Sequence, residues 1–294
     1  MLTLIGDIHG HADKLETLLQ KIGFSKSKGI YRHPEMKALF VGDYIDRGPQ
    51  IPETLEIVRR MVEEGQAIAL MGNHEYNALC FHFQETEGGH LRKHLIKNII
   101  QHYETLRQFQ NRQEEYENYL EWFKTLPLYY EDEECRAVHA CWDVKNIALL
   151  RNTLKNDCLT DDLIYESVKI GSPFNRAIEE TLKGKEMALP NGNAFTDKDG
   201  NQRNEIRIKW WEDPSTATYS SISIEPLDLP DIPITPLPNT GFYPSEDKRV
   251  FFGHYWLKGQ PALFKNNICC LDYSVAKGGK LVAYRMDQKE LTWV

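Results

Sequence analysis

Three short blocks of the sequence combine glycine with acidic, imidazole and amide side chains, all of which can bind a metal ion. The blocks are Gly6–Gly10 (GDIHG), Gly42–Gly48 (GDYIDRG) and Gly72–Glu75 (GNHE). Asp7 and His9 alternate around one residue, so a loop leaving a strand can aim both at one cation. Mixed oxygen and nitrogen ligands suit manganese, iron or zinc, whereas an all-oxygen shell favours magnesium or calcium. A bridging carboxylate from Asp43 could hold two ions about 3.5–4 Å apart, the spacing found in two-metal hydrolytic sites.

Two later histidines follow apolar runs in the same way, His139 after Ala137-Val138 and His254 after Val250–Gly253. Each feature alone has an ordinary explanation, since an isolated Asp-x-His or GDxxDRG segment is usually a loop and an isolated buried histidine is usually a core residue. Their occurrence together, in order and each behind a predicted strand, favours a metal site with these histidines as further nitrogen ligands. The remaining histidines, at positions 11, 33, 82, 90, 94 and 102, have no such placement, and we expect them to be structural or solvated.

Short apolar runs that end abruptly in polar residues predict buried strands. These runs are Leu2–Ile5, Ala38–Val41, Ala67–Met71, Ala137–Val138 and Val250–Phe252. Apolar residues at helical spacing precede Gly23 and Gly65, so the chain opens as strand, helix, strand, helix, strand. This order predicts a parallel α/β sheet, in which the three blocks would meet in a crevice at the carboxyl edge of the strands.

We expect the rest of the chain to elaborate a single domain that spans residues 1–294. A polar stretch at about 90–124 carries apolar residues at mostly helical spacings and predicts a helical insertion. A second insertion at about 143–248 contains a turn-rich segment, Asn191–Asn204, and a proline-rich stretch, Pro226–Pro244, which cannot form ordinary helix or central strand. At the end, Ile268–Leu271 and Leu281–Tyr284 flank Gly278-Gly279 and predict a hairpin that returns to the core.

Composition limits the function classes. The chain has 294 residues, 41% of them hydrophobic and 27% charged, and can bury a substantial core. Its net charge of −8 argues against a broad grip on nucleic acid, which depends on clustered Lys and Arg. Without a basic and apolar leader or an apolar run of membrane-spanning length, we expect a cytoplasmic protein that does not enter a membrane. The six cysteines form no CxxC pair, and we interpret them as reduced core thiols rather than zinc ligands or disulfides.

The ordered motifs closely resemble those of the calcineurin-like metallophosphoesterase superfamily: DxH, GDxxDR, GNHE and then two separated histidines. The resemblance covers roughly residues 1–80, 134–142 and 249–285 and leaves both insertions outside. It implies a four-layer αββα sandwich and two divalent metal ions, for which we expect manganese, with iron or zinc as alternatives. It further implies a first metal on Asp7, His9 and Asp43, and a second on Asp43, Asn73, His139 and His254.

Within that superfamily, GDxxDRG together with GNHE resembles the phosphoprotein-phosphatase branch. That likeness implies that His74 is the general acid and that Asp46 orients its imidazole. Such roles fit a side chain that titrates near neutral pH, with a carboxylate that fixes its tautomer. Arg47 would bind the substrate phosphate through its planar guanidinium group, and the alternative is an ion pair with Asp46 or another carboxylate.

The motifs do not name a second phosphate-binding arginine. Arg207 is our first choice, because the following Lys209–Pro214 resembles a Trp-x-Asp-Pro segment of the family's protein phosphatases. Arg203 and Arg176 are the alternatives, and each of the three could equally be a surface residue. The tail, Cys270–Asp272 followed by Gly278–Leu281, resembles the ending of bacterial diadenosine-tetraphosphatase-like phosphatases, although a plain hairpin with Asp272 as a turn residue explains it as well.

The resemblance implies a metal-dependent hydrolase in which metal-bound hydroxide attacks phosphorus and His74 protonates the leaving group. We expect a protein-phosphatase-like phosphomonoesterase acting on phosphoproteins or small phosphomonoesters, with symmetrical hydrolysis of dinucleoside polyphosphates as the alternative. A non-catalytic binding module and a nuclease fit the complete motifs and the acidic charge less well. Six aromatic residues of the second insertion could stack a nucleobase or simply pack against the core: Phe195, Trp210, Trp211, Tyr219, Phe242 and Tyr243.

Overall fold

A computed structural model of the chain describes residues 1–86, 88–196, 202–227, 232–235 and 242–294. In this part of the chain the helices are α1 Ala12–Lys21, α2 Ile51–Glu63, α3 Asn73–His82, α4 Ile96–Gln108, α5 Gln113–Phe123, α6 Val144–Thr153, α7 Asp161–Ser167, α8 Pro173–Lys183 and α9 Tyr219–Ile222. The strands are β1 Leu2–Ile5, β2 Ser25–Ser27, β3 Ile30–Arg32, β4 Lys37–Phe40, β5 Ala67–Ala69, β6 Tyr129–Glu131, β7 Cys135–Val138, β8 Glu186–Ala188, β9 Phe195–Thr196, β10 Gln202–Arg203, β11 Glu205–Arg207, β12 Arg249–Phe252, β13 Ile268–Cys270, β14 Asp272–Tyr273, β15 Lys280–Arg285 and β16 Glu290–Trp293.

Two sheets form the centre of the molecule. The first has the order β14-β15-β1-β4-β5, with β16 also paired to β15. In it β1, β4 and β5 are parallel, as the opening pattern predicts, and β15 runs antiparallel to β1. The second sheet has the order β13-β12-β7-β6, in which β13, β12 and β7 are parallel.

The core strands are buried at consecutive positions, and because successive side chains point to opposite faces, each sheet buries both faces. Leu4 and Leu39 of the first sheet meet Ala137 and Phe251 of the second in one buried cluster between the sheets. The opposite faces belong to a larger cluster with the helices. In this cluster Ile5 and Phe40 accompany α1 and α2, while Val138 and Phe252 accompany α6 and α8. Helices therefore cover both outer faces, and the predicted four-layer αββα sandwich is confirmed.

The first predicted insertion contains α4 and α5, and these helices contact α2 and α3 respectively. The second contains α6 to α9 and β8 to β11, with a small apolar cluster of its own around Ile206 and Ile222. Parts of the predicted turn-rich segment Asn191–Asn204 and of the proline-rich stretch Pro226–Pro244 lie outside the described residues. The organisation as one domain with two insertions stays a prediction.

The predicted terminal hairpin is correct only in its second half. Asp272–Tyr273 pairs antiparallel with Lys280–Arg285, but Ile268–Cys270 lies in the other sheet, parallel to β12. The chain changes sheets at Leu271. The sequence did not predict this change, because an apolar run alone does not reveal which of two buried sheets it joins. No helix in the described ranges is long and apolar enough to cross a membrane.

Candidate metal centre and active site

The chemically important side chains gather where parallel strands of both sheets end. Asp7 and His9 follow β1, Asp43 follows β4, and Asn73 begins α3 after β5. The second sheet adds two histidines, His139 after β7 and His254 after β12. All six predicted metal ligands are at most 9% exposed. Two parallel carboxyl edges thus face one buried polar cluster.

Asp43 lies at the centre of this cluster. Its Oδ1 is 3.4 Å from His139 Nε2, and its Oδ2 is 3.5 Å from His9 Nε2. Asp43 belongs to two groups of potential metal ligands, and within each group the ligand atoms lie within 4.8 Å of one another. The first group adds His9 and His74, and the second adds Asp7 and His139. The carboxylate therefore faces two places at once, which is the arrangement a bridging ligand requires. Asp7 groups with His139 rather than with its sequence neighbour His9.

Backbone carbonyl groups fix the orientation of two imidazoles. His9 Nδ1 donates to the Ile45 carbonyl at 2.9 Å, and His139 Nδ1 donates to the Val41 carbonyl at 2.8 Å. Each bond leaves Nε2 directed into the cluster, the arrangement usual for metal-binding histidine.

Asn73 connects the second pair of histidines. Its Oδ1 is 2.8 Å from His254 Nδ1 and 3.0 Å from His139 Nε2. His139 therefore faces acceptors with both ring nitrogens, and although burial opposes its charge, Asp43 raises the pKa of His139 to about 10. A divalent cation would satisfy the same oxygen and nitrogen atoms without that proton.

The pKa values of three other ligands in the cluster are shifted in different directions. Burial and the neighbouring Asp272 raise the pKa of Asp7 well above its usual range. Burial also raises the pKa of Asp43, but the imidazoles of His139 and His74 outweigh it and hold that pKa well below the usual range. Burial lowers the pKa of His9 to about 3, so this imidazole is neutral at pH 7 and its Nε2 keeps a lone pair.

The donor set fits two divalent cations. Asp7 Oδ1 and His9 Nε2 are buried and have no hydrogen-bond partner among the described residues. Buried polar atoms are rarely left unpaired, and each of these two residues belongs to one of the two ligand groups that share Asp43. Oxygen from carboxylate and amide groups together with imidazole nitrogen is the chemistry of a transition-metal site.

The backbone at this edge is held in an unusual conformation. His9, Asp43, Asp46, Arg47 and His254 all have left-handed backbone, with φ between 46° and 72°. Residues other than glycine adopt this region at a cost, and such residues concentrate at functional sites.

Close approach of the loops also requires glycine at two positions. A Cβ on Gly72 would overlap the Asp43 carboxylate, and a Cβ on Gly253 would overlap the Asp7 carboxylate. Glu75 supports the same loops, because its carboxylate accepts hydrogen bonds from the backbone N–H groups of Asp43, Tyr44 and Gly72.

His74 and Asp46 form the predicted imidazole–carboxylate pair. His74 Nδ1 is 2.5 Å from Asp46 Oδ2, and both side chains are buried. Although burial raises the pKa of Asp46, His102 and His74 hold that pKa far below its usual range, so Asp46 is an anion. The other nitrogen, His74 Nε2, lies 4.0 Å from Asp43 Oδ2 and thus faces the cluster.

Asp46 also holds two partners that the sequence did not identify. Its Oδ1 accepts hydrogen bonds from His102 Nδ1 at 2.7 Å and from Thr105 Oγ1 at 2.5 Å. The sequence predicts that His102 is structural or solvated. It is buried against Asp46, and its three-residue spacing from Thr105 on one helix is the only sequence signal for this arrangement.

Arg47 is exposed beside the cluster and has no ion pair with a carboxylate in the described part of the chain. The predicted alternative, a pair with Asp46, does not form, because both oxygens of that carboxylate already accept other hydrogen bonds. The Arg47 guanidinium instead lies over the ring of Trp256, 4.2 Å from its centroid. Trp256 in turn stacks on His9 with ring centroids 5.4 Å apart, and no motif had identified this residue.

The predicted second arginine already contacts a carboxylate. Arg207 ends β11 and forms an ion pair with Glu225 at 2.5 Å. Its charge still acts on the cluster, since burial, His139 and Arg207 together lower the pKa of His254. The alternatives Arg203 and Arg176 are both exposed.

Most of the aromatic residues proposed for base stacking pack in the interior. Trp210, Trp211, Tyr219 and Tyr243 are buried, while Phe195 is half-buried and Phe242 is 46% exposed. All six cysteines are unpaired and five are buried, which agrees with reduced core thiols.

Comparison with known proteins identifies a family. The sequence profile of the calcineurin-like phosphoesterases matches residues 1–256. A protein of Halalkalibacterium halodurans named asymmetrical bis(5'-nucleosyl)-tetraphosphatase PrpE is 30% identical over 185 residues, which are 62% of this chain and 73% of that protein. The Bacillus subtilis protein of the same name is 28% identical over 186 residues, with coverages of 62% and 74%.

A solved structure supports the fold assignment. The protein serine/threonine phosphatase from Saccharomyces cerevisiae with similarity to human phosphatase PP5 aligns with a TM-score of 0.51 and 13% identity. The alignment covers 100% of this chain and 78% of the yeast protein. At this level of identity the likeness concerns the fold alone.

Proposed function

The chain belongs to the calcineurin-like phosphoesterase family and is a metal-dependent hydrolase, and from this premise we propose that it hydrolyses phosphomonoesters in the manner of a protein phosphatase. The observation that carries the proposal is the buried His74–Asp46 pair, whose free nitrogen faces the Asp43 carboxylate. The substrate phosphate would lie between this pair and the metal ions.

The six buried ligands Asp7, His9, Asp43, Asn73, His139 and His254 would hold two divalent ions. When bound, the ions would supply positive charge that polarises the phosphoryl group and lowers the pKa of a water molecule, so that this water can lose a proton and attack phosphorus at neutral pH. We propose manganese, with iron or zinc as alternatives, because the donor set mixes nitrogen with oxygen.

The protein's own groups then handle the leaving group and the phosphate. His74 carries a proton on Nε2, and its Nδ1 bond to Asp46 keeps the ring in the tautomer and orientation needed to donate that proton to the leaving oxygen. Arg47 offers planar N–H donors to the phosphate oxygens, and it forms no ion pair with any carboxylate of the described residues that would have to break first.

The need for an acid favours a poor leaving group. A serine or threonine alkoxide is a strong base and leaves slowly unless it is protonated. A nucleotide phosphate, whose second pKa is about 6, leaves readily as an anion. A buried imidazole supported by a carboxylate is therefore most useful with alkyl phosphates such as phosphoserine.

The test is turnover of a phosphoserine peptide and para-nitrophenyl phosphate by protein stripped of metal and reloaded with manganese. We expect both to be hydrolysed, and His74→Asn to slow the peptide by about 10²–10⁴-fold, the usual contribution of a general acid. Full peptide activity in His74→Asn, with its metal content unchanged, would contradict the assignment of the acid.

The second candidate is hydrolysis of a dinucleoside tetraphosphate. It is favoured by the two PrpE relatives, whose names specify asymmetrical cleavage, whereas the sequence suggested the symmetrical reaction. Diadenosine tetraphosphate in the same assay distinguishes the two cleavage reactions, since asymmetrical cleavage yields ATP and AMP and symmetrical cleavage yields two ADP. A preference for this substrate over the peptide would promote the second candidate over the first.

A further inference from the structure

We infer that His102 and Thr105 of α4 are positioning residues for the proposed general acid, because they hold the Asp46 carboxylate by the oxygen that does not contact His74. The inference rests on the role proposed for His74. It assigns a function to the first insertion, which lies outside the motifs of the family.

Asp46 is held through both its backbone and its side chain. Thr105 Oγ1 accepts the Asp46 backbone N–H at 3.0 Å and donates to Asp46 Oδ1 at 2.5 Å. His102 Nδ1 donates to the same oxygen at 2.7 Å. These bonds fix the rotation of the carboxylate and direct Oδ2 at His74 Nδ1, so the tilt of the His74 ring depends on them.

The orientation of His102 is itself determined by α5. Tyr116 lies 2.8 Å from His102 Nε2, and its hydroxyl can donate there while Nδ1–H donates to Asp46. With a proton on Nδ1, the His102 ring can make both bonds, and the Tyr116 hydroxyl fixes the orientation of the ring that Asp46 needs. All of these side chains are buried, and hydrogen bonds to a charged group are strongest in such surroundings.

The burial pattern of α4 shows that Asp46 organises its packing. His102 and Thr105 are the buried residues of this helix, whereas Ile96 and Ile100 are 78% and 69% exposed. An ordinary surface helix buries its apolar side chains and exposes its polar ones. Here the polar side chains face inward, toward the loop that carries Asp46 and Arg47.

A third residue of α4 holds the end of the same loop. Gln108 Oε1 accepts the Ile51 N–H at 2.8 Å, and Gln108 Nε2 donates to the Gly48 carbonyl at 2.8 Å. Residues 102, 105 and 108 therefore fix the Asp46–Ile51 segment at both ends. This support suits Asp46 and Arg47, whose left-handed backbone needs surrounding contacts to persist.

The experiment compares kcat on phenyl phosphate, a poor leaving group, with kcat on para-nitrophenyl phosphate, a good one, in manganese-loaded protein. We expect His102→Ala to lose about tenfold on phenyl phosphate and little on the nitrophenyl ester, as a part of the general-acid contribution. His102→Asn, whose amide N–H can replace Nδ1–H, should restore most of the loss. Ile100→Ala, on the exposed side of α4, is the matched control and should resemble wild type on both substrates.

The ratio of the two kcat values does not depend on the fraction of folded enzyme, so it separates positioning from general damage. Equal losses on both substrates, or no loss at all, in His102→Ala would overturn the inference while leaving the role of His74 intact. His74→Asn is measured in parallel. If it showed no leaving-group dependence, the proposed acid and the positioning role would both be wrong.

Discussion

Trp256 provides a quantitative test of phosphate binding. Its indole lies against His9 on one side of the site and under the Arg47 guanidinium, with a distance of 4.2 Å from Arg47 Cζ to the ring centroid. A guanidinium that stacks by its face keeps its N–H groups free in the plane, so it can bind phosphate without leaving the ring. We therefore expect Trp256→Leu to weaken the binding of phosphate by releasing Arg47.

The expected loss of phosphate-binding free energy in Trp256→Leu follows from two contributions. A cation–π contact at an exposed site is worth about 0.5–1 kcal/mol. Immobilising a flexible side chain on binding costs about 0.5–1.5 kcal/mol. Loss of roughly 1 kcal/mol of preorganisation should raise the inhibition constant of inorganic phosphate about fivefold.

The assay is inhibition by inorganic phosphate of para-nitrophenyl phosphate turnover, with metal content measured on each variant because Trp256 also touches His9. Trp293→Leu is the matched control. Trp293 of β16 is likewise a half-buried indole beneath a cation, with Lys280 Nζ 5.3 Å from its ring centroid. In an Arg47→Ala background, Trp256→Leu should add almost nothing. Unchanged or tighter phosphate inhibition in Trp256→Leu at full metal content, or additive effects in the double variant, would refute the reasoning.

Three further predictions concern the metals and the second arginine. Asp43→Asn should abolish turnover and lower the metal content measured by mass spectrometry, because this carboxylate faces both groups of ligand atoms; retention of two ions at full occupancy would contradict the bridging role. Manganese at about 100 times its dissociation constant should raise the melting temperature of chelator-stripped protein by roughly 5–10 °C, since binding to the folded state adds about 2.7 kcal/mol; a calorimetric scan without any shift would argue against a buried site. If Arg207 binds phosphate, Arg207→Ala should lower kcat/KM about 10²-fold while Glu225→Gln, which removes only the ion pair, stays within about threefold of wild type; equal effects of the two substitutions would indicate a structural ion pair.

The parallel core could be predicted because its signals are local. Each predicted core strand lies within two residues of an observed one, since short apolar runs bounded by polar residues have few alternatives in a buried sheet. The chain order then places the ends of β1, β4 and β5 at one edge, so the convergence of Asp7 and Asp43 follows from topology. The same reasoning does not reveal which ligand atoms meet, because Asp7 turns toward His139 of the other sheet.

The role of α4 could not be read from its pattern. Periodicity predicts a helix by assuming that apolar residues face inward, but Leu95 and Ile99, which belong to the predicted pattern, are 51% and 38% exposed. The inward side of α4 is determined by a charge on a loop distant in sequence, because Oδ1 of the buried Asp46 carboxylate accepts hydrogen bonds from His102 and Thr105. Sequence identifies such a helix, but the partner that determines its orientation lies 56 residues away.

Asp272 has the turn role that the sequence offered as one of two interpretations, and it makes a second contact besides. As a turn residue it accepts the Ser274 N–H at 2.9 Å, which closes the short hairpin between β14 and β15. Its other oxygen accepts the Trp256 N–H at 2.6 Å and holds that residue in its left-handed backbone conformation beside His9. Because Trp256 carries the Arg47 guanidinium, the terminal hairpin is linked to the proposed phosphate contact through one carboxylate and one indole. The tail of the chain therefore contributes to the site without supplying a ligand of its own.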